Sequence, residues 1–333
     1  MEVHVQLRKA KVVVTRNIPR RALEMLQERT EVFVWESDEE IIPRDVLLRE
    51  VRDAAAIFTN VADQIDREVF DAAPHLRVVA TMAVGFDNID IAEATRRGIP
   101  VGHTPGVLSE TTADLTFSLL MATARRIPEA DRYVREGRWK SWSPMLLTGQ
   151  DIYGATIGII GMGRIGEAVA RRAKGFDMNI LYHNRSRKPE AEEALGAQYR
   201  PLDELLAESD YVVLMAPATK ETNKLIGERE LSLMKPDAIF INASRGTNVD
   251  EAALYQALKR KQIWAAGLDV FETEPIGADH PLLTLDNVVV APHIGSASIA
   301  TRTRMAQMTA ENILRGLAGE KLLHTVNAVV YEK

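Results

Sequence analysis

Apolar residues in this chain recur in short β-branched runs separated by longer stretches of mixed polarity. In the first hundred residues the runs are Lys11 to Thr15, Glu31 to Val34, Ala54 to Thr59, Leu76 to Ala80 and Ile99 to Val101. Helix-like stretches lie between them at Ala22 to Arg29, Arg44 to Val51, Arg67 to Ala72 and Ile91 to Arg97. This alternation predicts a small parallel α/β domain. The mostly uncharged stretch Thr111 to Thr123 has a Ser/Thr start and stops at Arg125-Arg126 before Pro128. It reads as a buried helix connecting two domains, too short to cross a bilayer. From Thr156 the alternation restarts, with strands expected at Thr156 to Ile160, Asn179 to His183, Tyr211 to Met215, Ala238 to Asn242, Trp264 to Leu268 and Asn287 to Ala291. Six strands with helices between them make a dinucleotide-binding sheet. A last helix, Ile299 to Gly316, is expected to return to the N-terminal domain, and Leu322 to Val329 closes the chain.

Composition narrows the class. A chain of 333 residues fits two domains, and 46% hydrophobic with 26% charged residues is ordinary for a globular protein. A net charge of -6 and a pI near 5.8 argue against a nucleic-acid partner. Cysteine is absent, which removes disulfides, thiolate metal sites and a cysteine nucleophile. No metal is expected, because the histidines at 4, 75, 103, 183, 280, 293 and 324 show no close metal-ligand pair. Met1 to Ala10 lacks the apolar core of a signal peptide and no uncharged run reaches a membrane span, so the expected setting is the cytoplasm, with no membrane partner.

The chemistry begins at Thr156 to Gly166, where an apolar run leads into Gly161-Met162-Gly163-Arg164-Ile165-Gly166 and then a helix pattern. Gly161 permits the tight turn, Gly163 lets the backbone approach a pyrophosphate, and Gly166 lets the helix pack close to the strand. A second strand follows within the about 30 residues of a βαβ unit. An acid at the end of that strand would bind the ribose hydroxyls of NAD. Here it is replaced by Asn184-Arg185-Ser186-Arg187-Lys188, so NADP(H) is favoured and NAD(H) stays open.

Three further candidates stand at or just past predicted strand ends, where open α/β sheets bind ligands. They are Arg245 in Asn242-Ala243-Ser244-Arg245-Gly246, Glu274 beyond Asp269-Val270, and His293 after Pro292. Reduction of a 2-keto acid needs a proton for the carbonyl oxygen and a cation for the carboxylate. Histidine supplies the first, helped by a neighbouring carboxylate that stabilises imidazolium, and a guanidinium fork supplies the second.

These residues carry a resemblance over essentially the whole chain to the D-2-hydroxyacid dehydrogenase family, and within it to glyoxylate/hydroxypyruvate reductases. The shared motifs are Thr81 to Asp90, Gly161 to Gly166, Asn242 to Gly246, Gly267 to Pro275 and Pro292 to Ala297. The resemblance implies that Arg245 binds the substrate carboxylate and carbonyl, that His293 is the acid/base, and that Glu274 sets its pKa. It implies substrate contacts from the Val84 and Gly85 backbone and from Ser296. Asp269 would lie near the nicotinamide carboxamide, with Ala243, Ser244 and Gly295 also beside the coenzyme. Trp142 would reach the neighbouring subunit's substrate pocket in a homodimer. The expected fold is α/β with two lobes. A Rossmann domain over 104–293 is inserted in a smaller flavodoxin-like parallel α/β substrate domain made of 1–103 and 294–333. The expected activity is NAD(P)H-dependent reduction of glyoxylate or hydroxypyruvate to glycolate or D-glycerate. Reduction of 2-ketogluconate, or the action of another D-2-hydroxyacid dehydrogenase, stays open, as does a remote alternative, a non-catalytic dinucleotide-sensing protein like the corepressors of this fold.

Overall fold

Strands buried on both faces of a parallel sheet must be apolar at successive positions, and the strands here are. The structure, a computed structural model, describes residues 10–332. Two units emerge, one made of the residues up to Leu108 with those from Ser298, the other of Ser109–Ala297.

In the first unit the order is β1 (Lys11–Val14), α1 (Arg20–Gln27), β2 (Glu31–Val34), α2 (Arg44–Glu50), β3 (Ala54–Thr59), α3 (Arg67–Ala72), β4 (Val78–Thr81), α4 (Ile91–Arg96) and β5 (Val101–Gly102). All pairings are parallel, in the order β2-β1-β3-β4-β5. Asp66 and Asp90 cap α3 and α4 by accepting from Val69 and Glu93 amides, a local reason for those helices to start where they do. Val13, Ile57 and Val79 face one apolar cluster.

The second unit contains α5 (Ser109–Ala124), α6 (Ile127–Arg135), β6 (Thr156–Ile160), α7 (Arg164–Lys174), β7 (Asn179–His183), α8 (Pro189–Leu195), β8 (Gln198–Tyr199), α9 (Leu202–Glu208), β9 (Tyr211–Leu214), α10 (Glu228–Leu233), β10 (Ile239–Asn242), α11 (Glu251–Lys259), β11 (Ala265–Leu268) and β12 (Val288–Val290). Its seven parallel strands run β12-β11-β10-β9-β6-β7-β8. The order reverses at β6, so the loop after β6 lies at the switch point where such sheets bind ligands. One face packs Ile157, Ile159, Val213 and Ile241 with Phe117 and Leu120 of α5 and Val169 of α7. The other packs Val212, Leu214, Phe240 and Leu268 with Leu205, Leu231 and Leu254.

The chain then returns to the first unit as α12 (Ile299–Ala318). Ala306, Ala310 and Ile313 of that helix cover Val12, Val14, Phe58, Val78 and Ala80, the face opposite the Val13 cluster. Arg77 donates to the Leu317 carbonyl. The Asn327 side chain joins the tail to β5 by accepting from Val101 N at 2.8 Å and donating to Ile99 O at 2.9 Å.

Several boundaries move relative to the sequence pattern. The units divide at 108/109 and 297/298 rather than 103/104 and 293/294. The His293 to Gly295 amides all bond to Asp269, which keeps this loop with the second unit. Helix α5 belongs wholly to the second unit, with eight of its residues buried. A seventh strand, β8, joins the six expected, and Pro128 opens α6 instead of only ending its predecessor. Among the described residues no helix is long and apolar enough to cross a membrane.

Candidate active site

The glycine loop between β6 and α7 uses its three glycines differently. Gly161 has φ +104°, and a Cβ there would stand 2.7 Å from Ala216 N. A Cβ on Gly166 would stand 2.3 Å from the Gly161 carbonyl oxygen, so only glycine lets α7 start this close to the strand. Gly163 caps α7 without a side-chain hydrogen bond, and the space beside it is open. A helix N-terminus with free first-turn amides and open space fits a pyrophosphate. The flanking Met162 and Ile165 turn inward while Arg164 is exposed. At the end of β7, Asn184 accepts from Met162 N at 2.7 Å and donates to Met162 O at 3.3 Å. Its amide therefore clamps the loop, while Arg185 and Ser186 are exposed.

The second set of residues lies after β10, β11 and β12. Asn242 accepts from Ser244 N and Oγ at 3.0 and 2.8 Å and donates to the Arg245 carbonyl at 3.1 Å. Ala243 and Ser244 are buried in this turn, and Arg245 Nη1 donates to Ser244 O at 2.9 Å. A Cβ on Gly246 would stand 1.8 Å from the Phe271 carbonyl carbon, so the 245–246 backbone rests directly on the 271–272 backbone. Phe271 N donates to Glu274 Oε1 at 2.9 Å, and His293 Nδ1 lies 2.6 Å from Glu274 Oε2.

His293 itself has φ +52°, a left-handed conformation that costs a non-glycine residue about 1–3 kcal/mol. The buried Asp269 holds it there. His293 N donates to the Asp269 carbonyl at 2.9 Å, and Ile294 N and Gly295 N donate to its two carboxylate oxygens at 2.8 and 2.9 Å. Burial raises the Asp269 pKa, only partly offset by those amides and by the His293 charge. Burial also pushes Glu274 up, but the His293 hydrogen bond and charge, the Phe271 amide and Arg245 outweigh it, so its carboxyl stays below the usual range. A carboxylate on Nδ1 leaves Nε2 as the ring position that can exchange a proton, with a guanidinium on the adjoining loop to hold an anion.

The sequence model of the D-isomer specific 2-hydroxyacid dehydrogenase NAD binding domain matches residues 117–295. The chain belongs to the D-2-hydroxyacid dehydrogenase family. It is 56% identical over 323 residues to a glyoxylate reductase of Korarchaeum cryptofilum, covering 97% of each chain. A Thermus thermophilus crystal structure superposes with a TM-score of 0.90 at 47% identity, over 95% of this chain and 99% of the other. The NADPH-dependent glyoxylate/hydroxypyruvate reductase of Sinorhizobium meliloti, solved with NADP and malonate, gives a TM-score of 0.81 at 36% identity over 95% and 96% of the two chains.

This D-2-hydroxyacid dehydrogenase is an NAD(P)-dependent oxidoreductase. Its second unit brings together Arg245, Glu274, His293, Asp269, Gly295 and the glycine loop's sheet. Ser296 follows in a turn closed by Ala297 N to Ile294 O at 2.8 Å. Val84 and Gly85 belong to the first unit, in the turn after β4, where His103 Nδ1 donates to the Val84 carbonyl at 3.0 Å. Trp142 is 79% exposed in the segment after α6. Two roles are not written in the sequence pattern. Gly246 sets the approach of two loops, and the Asp269 carboxylate organises the His293 loop. The positive-φ demand at His293 leaves no mark on the sequence, although Gly246 directly after Arg245 was a usable signal.

Proposed function

We propose that this protein is an NADPH-preferring reductase of glyoxylate and hydroxypyruvate, acting as a cytoplasmic homodimer. The observation that carries the catalytic assignment is the His293 Nδ1 to Glu274 Oε2 contact at 2.6 Å on loops shared with Arg245. The glyoxylate reductase and glyoxylate/hydroxypyruvate reductase relatives support the choice of acid. The exposed Arg185 and Ser186, in place of an acid after β7, support NADPH.

When bound, the nicotinamide supplies a hydride to C2 of the keto acid. Arg245 holds the substrate carboxylate and polarises the carbonyl. His293 gives the Nε2 proton to the carbonyl oxygen and becomes neutral, while Glu274 keeps the ring oriented and balances its charge before transfer. Glycolate or D-glycerate leaves. Asp269 keeps the histidine loop in its left-handed turn.

Dimerisation is supported by α6, none of whose residues is buried. Ile127, Val134, Trp139, Trp142, Met145 and Tyr153 are all exposed on this helix and the segment after it. An apolar surface of this kind favours a partner of the same chain, to whose substrate pocket Trp142 would contribute.

The deciding experiment compares kcat/KM for glyoxylate, hydroxypyruvate and 2-ketogluconate with NADPH and NADH. Glyoxylate or hydroxypyruvate with NADPH should lead. A kcat/KM about tenfold higher on 2-ketogluconate would make the enzyme a sugar-acid reductase.

A further inference from the structure

The loop after β7 carries three cations, Arg185, Arg187 and Lys188. Their surroundings divide them. Arg187 forms a fork on Glu192, Nε to Oε1 at 3.0 Å and Nη2 to Oε2 at 2.6 Å. Glu192 Oε1 also accepts the hydroxyl of the fully buried Tyr182 at 2.6 Å, and that hydroxyl accepts from Lys188 N at 2.7 Å. Strand β7, the loop and α8 are thereby joined through one carboxylate. The Arg187 fork, then the Tyr182 hydroxyl, hold the Glu192 pKa below its ordinary range against desolvation, so it is an anion at neutral pH. Lys188 Nζ lies 3.8 Å from Glu167 in the first turn of α7. Arg185 is exposed and forms no ion pair among the described residues, though the Glu221 carboxylate, held below its ordinary pKa first by Thr219, also feels its charge, and Ser186 beside it is exposed as well.

We infer that Glu192 tunes coenzyme selectivity by claiming Arg187, so that Arg185 with Ser186 reads a 2′-phosphate and Arg187 does not. This rests on the reading that the end of β7 faces the adenosine ribose. A guanidinium already satisfied by a fork would have to give up two charge-assisted bonds to turn to a phosphate. Glu192 is thus a specificity-determining residue that acts through the charge it neutralises.

The test measures Kd for NADP+ and NAD+ by calorimetry on the full-length protein and follows the ratio Kd(NAD+)/Kd(NADP+). Arg185→Ala should lower the ratio about tenfold or more, whereas Arg187→Ala should leave it within about twofold of wild type. Glu192→Gln, which keeps an acceptor for Tyr182, should raise the ratio about threefold or more, and adding Arg187→Ala should abolish the gain. A fall with Arg187→Ala as large as with Arg185→Ala overturns the proposal, and so does an unchanged ratio in Glu192→Gln. Because Arg187→Ala leaves the Tyr182 to Glu192 bond in place, it decides the matter even where Glu192→Gln fails to fold. A wild-type preference for NAD+ would instead refute the NADPH assignment, while the direction of the Glu192→Gln effect would still report on Glu192.

Discussion

His293 occupies a backbone conformation that its side chain does not favour, and the compensation comes from Asp269. Replacing Asp269 with Asn substitutes an N–H group for one of two acceptors, so either the Ile294 or the Gly295 amide loses its partner. The expected cost is about 1–3 kcal/mol concentrated in that loop, with kcat on glyoxylate falling at least about tenfold. An Asp269→Asn enzyme with wild-type kcat would show that the loop holds its shape without the carboxylate. Glu274 yields a pH prediction. Its folded pKa is depressed, so the stability it contributes is complete above its unfolded value and is lost only as pH falls through the folded one. Around neutrality it is a constant anion, and the proton that is transferred belongs to His293. Reduction should fall as pH rises and oxidation should rise, because the ring must start protonated for one and neutral for the other. Glu274→Gln should slow reduction at pH 7 about tenfold or more. An unchanged rate would remove Glu274 from the proton transfer. The cation, carboxylate and histidine were legible in the sequence because each follows an apolar strand. The amide contacts that fix them were not, because they depend on backbone directions.

The elements were legible where an apolar run of four or more residues met a clear stop. β2, β3, β6 and β7 fall on the expected residues. β8 escaped because two residues carry no periodicity, and α6 because a proline reads as an end when it equally suits a first turn. Close packing between loops is also invisible in a linear pattern. Gly246 shows this best, since it is the point where the turn after β10 lies on the segment after β11. Gly246→Ala should destabilise the second unit by about 1–3 kcal/mol through overpacking, read as a lower thermal midpoint. It should also reduce kcat/KM by displacing Arg245 from Glu274. A variant with normal stability and activity would mean that the two backbones separate at no cost.

For the whole molecule, the patterns predicted two parallel sheets and the returning C-terminal helix. The unit boundaries moved because hydrogen bonding, and not polarity, assigns the 293–297 loop. The exposed surface along α6 carries the assembly prediction. Val134→Glu, at a position 55% exposed in the single chain, should leave folding intact and convert the proposed dimer to a monomer by placing an unpaired charge in its interface. Light scattering that still reported a dimer would move the interface elsewhere. Helix α12 bears on how the protein is made. Residues 109–297 are contiguous and can fold while still emerging from the ribosome. The first unit must wait, with Val12, Phe58 and Val78 uncovered, until Ala306 to Ile313 have been synthesised. The part of the chain that is translated first is therefore the part that finishes last, and its open sheet face is where a nascent chain most needs a chaperone.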